Sequence, residues 1–272
     1  MFAADDFFTF DTGDGALAYR DTHGEGPPVI LLHAGFLDST MFEPQLSALN
    51  RYRVIAPDAR GHGNSANATR PFRQTDDVGA LLHHLGLPSA VLVGVSMGAM
   101  IAIETAVEHP ALVAGLVVGG RGLDEPQYRD PWSQRVAHTQ AAALACGDMA
   151  AWMDAFTSWA AGPTRTLEEV DQGIVDKLRQ AATRTLSKHT APEPDYLLPV
   201  SDLASRARTI DVPVFAIDGA LDSPDLTATV DRFLDAIPHS RRAVLDHAAH
   251  YPNMEQPAAY NALVESFIDR VH

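Results

Sequence analysis

Ser96 lies in Gly94-Val95-Ser96-Met97-Gly98, a Gly-x-Ser-x-Gly pattern. The β-branched run Val91-Leu92-Val93 leads into it, and the alanine-rich stretch Ala99-Met100-Ile101-Ala102 leads out. A serine so placed sits on a sharp turn from strand to helix and projects from the end of a sheet. A Cβ at position 94 or 98 would push the helix off the strand beneath it. Alone the pattern is weak, since ordinary glycine and serine usage produces it in about one chain in ten of this length. It gains meaning only if the chain also supplies a base, an acid and donors for an oxyanion.

A serine hydroxyl is a poor nucleophile without a positioned base. Of the 12 histidines, His250 is favoured by context. It lies in Asp246-His247-Ala248-Ala249-His250-Tyr251-Pro252, a loop after the last predicted strand, with His247 as the nearby competitor. The base needs an acid to hold its tautomer and to stabilise the imidazolium. Asp222, in Asp218-Gly219-Ala220-Leu221-Asp222-Ser223-Pro224-Asp225, follows another strand and is the favoured acid. Asp218 reads as part of that strand, Asp225 as a helix N-cap, and Asp124 as an outside candidate after an earlier strand. Two N–H groups must converge on the developing oxyanion. Met97 N–H supplies one, at the positive end of the helix dipole. The other comes from the turn after His33-Ala34, where Gly35 is favoured for the amide and Phe36 for the pocket wall.

The elements that must carry these residues follow a clear rhythm. Phe7 to Phe10 and Leu17 to Arg20 read as a hairpin around Asp14-Gly15. Pro28 to His33, Arg53 to Pro57, the strand before Ser96, and Val113 to Gly119 are continuous apolar runs, as expected of strands buried on both faces. Helical segments separate them: Phe42 to Leu49, Gln74 to Leu85 with Gly86 just past its end, and the helix after Ser96. That alternation implies right-handed crossovers and a parallel sheet. It breaks after Gly120. From Arg121 to Thr209 there is no good strand, and Ala137 to Ala145, Ala150 to Trp159 and Leu167 to Leu186 read as helices. It resumes with Val212 to Ile217, a helix near Leu226 to Ile237, a strand Arg241 to Leu245 and a final helix from Pro257 to Arg270. The expected division is a core of residues 1–120 and 210–272, with residues 121–209 as a helical cap over the strand ends.

Composition bounds the function. The chain has 272 residues, 46% hydrophobic and 20% charged, which is ordinary globular composition. Its net charge of −15, with 35 acidic against 20 basic residues, argues against nucleic acid and against an anionic membrane surface. The single cysteine, Cys146, excludes an internal disulfide and a cysteine-based zinc site and reads as cap packing. The N-terminal Met-Phe-Ala-Ala-Asp-Asp lacks the basic region of a signal peptide, and no apolar run is long enough to span a bilayer, so a cytoplasmic protein is expected. No metal or cofactor site is expected: His83 and His84 point to different helix faces, and the glycines around Ser96 do not form a dinucleotide motif.

Several residues have a plain structural reading beside a functional one. His62, in Arg60-Gly61-His62-Gly63, reads as scaffold, and His33 as a buried residue shaping the oxyanion turn. Trp152, Phe156 and Trp159 have i, i+4, i+7 spacing and share a helical stripe. That stripe, with Trp132, either packs the cap on the core or roofs an apolar pocket, to which Met100 and Tyr251 also belong.

Together, Leu31-Leu32-His33-Ala34-Gly35, Asp58-Ala59-Arg60-Gly61-His62-Gly63-Asn64-Ser65, Gly94-Val95-Ser96-Met97-Gly98, Gly219-Ala220-Leu221-Asp222 and Ala249-His250-Tyr251-Pro252-Asn253-Met254-Glu255-Gln256-Pro257 resemble the five signature segments of the α/β-hydrolase superfamily. Within it the chain is similar to the cofactor-free group of 3-oxoadipate enol-lactonases, small esterases and haloperoxidases. One departure is Ala34, where most relatives have glycine after the histidine. The resemblance implies an α/β fold with a mainly parallel eight-stranded sheet, and the chain order Ser96, Asp222, His250 is the order of that fold's triad. It also implies acyl transfer on a small-molecule ester or lactone without a cofactor. A homo-oligomer is compatible with the sequence, which does not give the oligomeric state. Perhydrolysis, C–C hydrolysis or elimination on the same triad, and slow-turnover small-molecule sensing, are the competing expectations.

Overall fold

The computed structural model describes residues 7–190 and 193–272. Among the described residues the strands are β1 (Phe8–Asp11), β2 (Ala16–Asp21), β3 (Pro28–Leu32), β4 (Arg53–Pro57), β5 (Ala90–Val95), β6 (Val113–Gly119), β7 (Val214–Gly219) and β8 (Arg241–Leu245). They form one sheet in the order β1-β2-β4-β3-β5-β6-β7-β8. Pairing is antiparallel from β1 to β2 and from β2 to β4, and parallel everywhere else.

The apolar runs that identify the strands bury both faces, and the period of two sorts their side chains into two cores. Val29 and Leu31 of β3 and Val91, Val93 and Val95 of β5 join one cluster. Ile30 and Leu32, with Ala90 and Leu92, join the other. On the first face pack α1 (Glu43–Ala48) and, through Tyr260, Val264, Phe267 and Ile268, the C-terminal helix Pro257–Val271. On the second face lie α2 (Gln74–His84), α3 (Met97–Glu108) and the helix Pro224–Ala236.

Between β6 and β7 run three long helices, α4 (Pro131–Cys146), α5 (Met149–Ser158) and α6 (Gln172–Leu186), and a single turn, α7 (Leu203–Arg206). The first three are bounded by local capping chemistry. Asp130 accepts Ser133 N–H at 2.9 Å ahead of Pro131, so α4 begins a turn and a half before the apolar spacing indicates. Asp148 caps α5 and Asp171 caps α6. A separate 3₁₀ turn, Leu167–Glu169, occupies the segment expected to open α6. Trp152, Phe156, Val175, Leu178 and Ala182 extend the first cluster upward, whereas Ala207 and Ile210 belong to the second. The chain thus regains the sheet's other face before β7 starts. The remaining helices are α8 (Pro224–Ala236), α9 (Pro252–Glu255) and α10 (Pro257–Val271). No helix among the described residues is long and apolar enough to cross a membrane.

Candidate active site

The turn between β5 and α3 carries Ser96 at φ 56°, ψ −115°, a left-handed conformation costly for a residue with a Cβ. Close packing enforces it. A Cβ on Gly98 would lie 1.9 Å from the Leu32 carbonyl oxygen of β3, and one on Gly94 would lie 2.2 Å from the Gly98 carbonyl oxygen. Only glycine allows the helix to sit this near the strand. The Ser96 N–H donates to the Gly119 carbonyl at 2.8 Å, and the Ser96 carbonyl accepts Ala99 and Met100 N–H. Met97 opens α3, so its N–H has no acceptor within the helix.

The turn after β3 runs from Ala34 to Leu37 and is closed by Leu37 N–H donating to the Ala34 carbonyl at 3.1 Å. The left-handed residue in it is Phe36, at φ 62°, and not the adjacent glycine. Gly35 abuts Met97: a Cβ there would lie 3.7 Å from the Met97 Cβ. The two backbone segments expected to supply oxyanion donors are therefore neighbours. His33 is buried beneath this turn. Its Nε2 accepts Ala59 N–H at 2.9 Å, which requires the Nδ1–H tautomer, and Nδ1 lies 2.9 Å from the Ala34 carbonyl. His62, its ring 5.2 Å from that of His33, is held neutral: burial, together with His33, pushes its pKa down to about 3.

Asp222 and His250 come from the loops after β7 and β8. Main-chain bonds lock those loops together, Ala220 N–H to the Leu245 carbonyl at 3.0 Å and Leu221 N–H to the Ala248 carbonyl at 2.9 Å. The result is a buried contact of 2.9 Å between His250 Nδ1 and Asp222 Oδ2. The other carboxylate oxygen of Asp222 accepts Ser223 N–H at 2.7 Å. The competing residues are elsewhere. His247 is exposed. Asp124 is exposed and lies 3.7 Å from Arg232. Asp218 lies within β7, as the sequence reading expects. Asp225 is not a helix N-cap: Ser223 caps α8, and Asp225 Oδ2 instead accepts the N–H groups of Arg129 and Asp130 at 2.9 Å each.

Ser96 and His250 line one cavity of about 360 Å³. Gly35, Phe36, Met97, Met100, Phe156, Trp159 and Tyr251 line it too. Trp132 and Trp152 do not, which corrects the sequence expectation for both. Trp152 stacks on Phe156 at 5.1 Å and meets Phe36 edge-on at 4.8 Å, so it sits behind the wall. Trp132 meets Trp159 edge-on at 5.1 Å and supports it from outside. Further lining residues were invisible in the sequence: Gln140, whose Oε1 accepts the Trp159 indole N–H at 2.8 Å, Tyr128, Leu226, and Leu197, carried in where its strand-like segment bridges to Phe72. Gln140 had one available signal, a polar residue on a helix with an apolar face. Tyr128 and Leu197 lie outside periodic segments, and Leu226 is in the first turn of the helix Pro224–Ala236. Burial raises the phenol pKa of both Tyr128 and Tyr251, so both stay protonated.

Two ion pairs fasten the inserted helices to the loops around this cavity. Arg184 of α6 donates to Asp38, just past the Ala34–Leu37 turn, at 2.7 Å. Burial works against the Asp38 charge, but the bonds from Thr40 and Arg184 outweigh it and hold the carboxyl below its ordinary pKa. Arg165, after α5, donates to Glu255 at 2.7 Å, and the other oxygen of Glu255 accepts Ala249 N–H next to His250 at 2.7 Å.

Comparison with known proteins agrees with this architecture. Residues 29–263 match the model of the alpha/beta hydrolase family. A 3-oxoadipate enol-lactonase of Acinetobacter baylyi is 30% identical over 271 residues, covering 96% of each chain. A pimeloyl-[acyl-carrier protein] methyl ester esterase of Aeromonas hydrophila is 27% identical over 258 residues, covering 90% of this chain and 96% of that protein. The solved structure of a hydrolase from Pseudomonas aeruginosa PA01 is 27% identical with a TM-score of 0.77, covering 98% of this chain and 99% of that one. A bromoperoxidase from Bacillus anthracis, 23% identical with a TM-score of 0.78 over 97% of this chain and all of that one, shares the fold. With the matched stretch running from β3 into α10, the protein belongs to the alpha/beta hydrolase family.

Proposed function

We propose that the protein hydrolyses a small to medium carboxylic ester or lactone through an acyl-enzyme on Ser96. The observation that carries this reading is the buried His250–Asp222 contact beside the cavity that His250 and Ser96 both line. Because Asp222 occupies Nδ1, Nε2 is the ring nitrogen left to act as base. In this mechanism Ser96 Oγ attacks the carbonyl carbon as its proton passes to His250. The oxyanion forms against the N–H groups of Met97 and Gly35, each worth about 3 kcal/mol of barrier. The tetrahedral species then collapses, and His250 protonates the departing alkoxide. Water, deprotonated by the same imidazole, attacks the acyl-enzyme and releases the acid and the free serine. Helices α4–α6 serve as a cap whose aromatic wall, Phe156 and Trp159 with Met100 below, receives the apolar part of the substrate. The names of the lactonase and esterase relatives support the same reaction class.

The test is a panel of esters, thioesters and lactones turned over by wild type and by Ser96→Ala, in ¹⁸O-labelled water. We expect turnover to fall at least about 10³-fold in the variant and the acid product to carry label from water. A wild-type protein that reacts with a fluorophosphonate yet turns over no member of the panel would sink the reading.

A further inference from the structure

Asp218 is a buried carboxylate with no part in the chemistry above, yet it touches the machinery. The side of β6 that faces β7 is paired only as far as Val118, opposite Ala216, while the side facing β5 continues to Gly119, opposite Val95. The next N–H on the β7 side, that of Gly120, has no main-chain partner there. Instead it donates to Asp218 Oδ1 at 3.0 Å. The carbonyl of that same Gly119–Gly120 peptide accepts the Ser96 N–H at 2.8 Å. One peptide unit is thus held at both ends, by the serine on one side and the carboxylate on the other. It is flanked by two glycines and Gly120 is left-handed at φ 70°, so no Cβ resists its rotation. The His250 ring lies directly against it, where a Cβ on Gly120 would come within 2.9 Å of His250 Cε1.

We propose that Asp218 is a positioning residue for Ser96 and His250, locking the Gly119–Gly120 peptide in the one orientation that offers its carbonyl to the Ser96 N–H. The inference rests on Ser96 being the nucleophile. Ser96 is in a strained conformation and its N–H bond to Gly119 helps to fix it there, so a peptide free to turn would let the hydroxyl drift. Arg242 of β8, with Nε 3.0 Å from Asp218 Oδ2, keeps the carboxylate paired and is itself shared with Asp231 of α8. Burial, with Asp222 adding to it, raises the Asp218 pKa to about 6 against the opposing pull of Gly120 N–H and Arg242.

Two variants separate positioning from general stability. Asp218→Leu fills the space and removes the acceptor, while Asp218→Asn keeps an oxygen for Gly120 N–H. We expect Asp218→Leu to lower both kcat and the rate of fluorophosphonate reaction at Ser96 by about 10²-fold, with KM within about twofold of wild type. Asp218→Asn should recover most of that loss even if its Tm is no higher than that of the Leu variant. Should the Leu variant fail to fold, the wild-type Gly120 amide decides. Its proton resonance should be protected from exchange and should shift with pH as Asp218 titrates. Equal fluorophosphonate rates in wild type and Asp218→Leu, an Asn variant as slow as Leu, or a freely exchanging Gly120 amide would each overturn the proposal. A wild-type protein inert to fluorophosphonate would instead remove the nucleophile, a failure of the underlying reading that the Gly120 amide does not share.

Discussion

His250 Nδ1 and Asp222 Oδ2 are 2.9 Å apart, in a contact almost closed to solvent. Ser223 N–H holds the other oxygen of Asp222, which fixes the carboxylate against the imidazole. Asp222→Asn should preserve shape but present an amide that favours the wrong histidine tautomer. Turnover is expected to fall about 10⁴-fold with Tm nearly unchanged. Steady-state kinetics and a thermal scan check this, and a variant within tenfold of wild type would mean that another acid serves His250.

Gly98 sets the distance between α3 and β3. The 1.9 Å that a Cβ would leave to the Leu32 carbonyl cannot be absorbed by a side-chain rotation, since the obstacle is backbone. Gly98→Ala should therefore displace the Ser96 turn and abolish fluorophosphonate labelling, or prevent soluble expression altogether. A labelled, fully folded Gly98→Ala protein would refute the packing argument.

Two tryptophans of one helical stripe should behave differently. Trp152 is 2% exposed and packs between Phe36 and Phe156, so Trp152→Ala is expected to cost about 3–5 kcal/mol of stability. Trp159 faces the cavity, so Trp159→Ala should shift the ratio of kcat/KM between long and short acyl chains by about tenfold. The comparison is made on a homologous series of esters. It fails if Trp152→Ala alters chain-length preference as much as Trp159→Ala.

Glu255 bonds Arg165 on one side and the amide beside His250 on the other. Glu255→Ala strands a half-buried guanidinium and an N–H. We expect a loss of about 3 kcal/mol, with a fall in kcat as the histidine loop loosens. Glu255→Gln, which keeps the shape and one of the two acceptor oxygens, should lose less of each. Urea unfolding of the two variants decides the order.

Glu104, half-buried on α3, has its pKa raised to about 7, by burial first, with Arg121 opposing and Glu108 and Glu125 adding. Its folded pKa lies above its unfolded one, so the native state takes up a proton between pH 7 and the ordinary glutamate range. That group's penalty is complete above pH 7 and is relieved as pH falls toward 4.5. Glu104→Gln should accordingly be more stable than wild type at pH 8, by roughly 2 kcal/mol after allowing for residual solvent screening. The advantage should vanish at pH 5. A stability difference that stays constant between these pH values would contradict the assignment.

The sheet was legible because strands buried on both faces must be written as unbroken apolar runs, and the helices between them from their apolar spacing, with Gly86 just past the end of α2. The order of Ser96, Asp222 and His250 along the chain was equally readable, and the structure brings Asp222 and His250 into contact. The periodicity that places Trp152 and Trp159 on one stripe does not tell which end of the stripe overhangs the cavity. Nor could Ser223-Pro224-Asp225 reveal its cap, since serine and aspartate both suit an N-cap, and only the fold diverts Asp225 to the amides of Arg129 and Asp130. The left-handed Phe36 beside a glycine without positive φ contradicts local preference, and its ring packs against Trp152 and Phe156 of the inserted helices. Tyr128 and Leu197 reach the cavity from irregular segments, where sequence spacing carries no directional information.

The loops bearing Asp222 and His250 are tied by main-chain bonds, Ala220 to Leu245 and Leu221 to Ala248, whereas the cavity's far wall is made of side chains from the inserted helices. Reactivity and selectivity are consequently written in different currencies, peptide geometry for one and side-chain shape for the other. On the proposed mechanism, a library varying Gln140, Phe156 and Trp159 should reshape what the site accepts without rewriting the backbone bonds that hold Asp222 against His250. The proposed mechanism thus makes the protein modular within a single fold, a stationary reaction centre beneath an exchangeable ceiling.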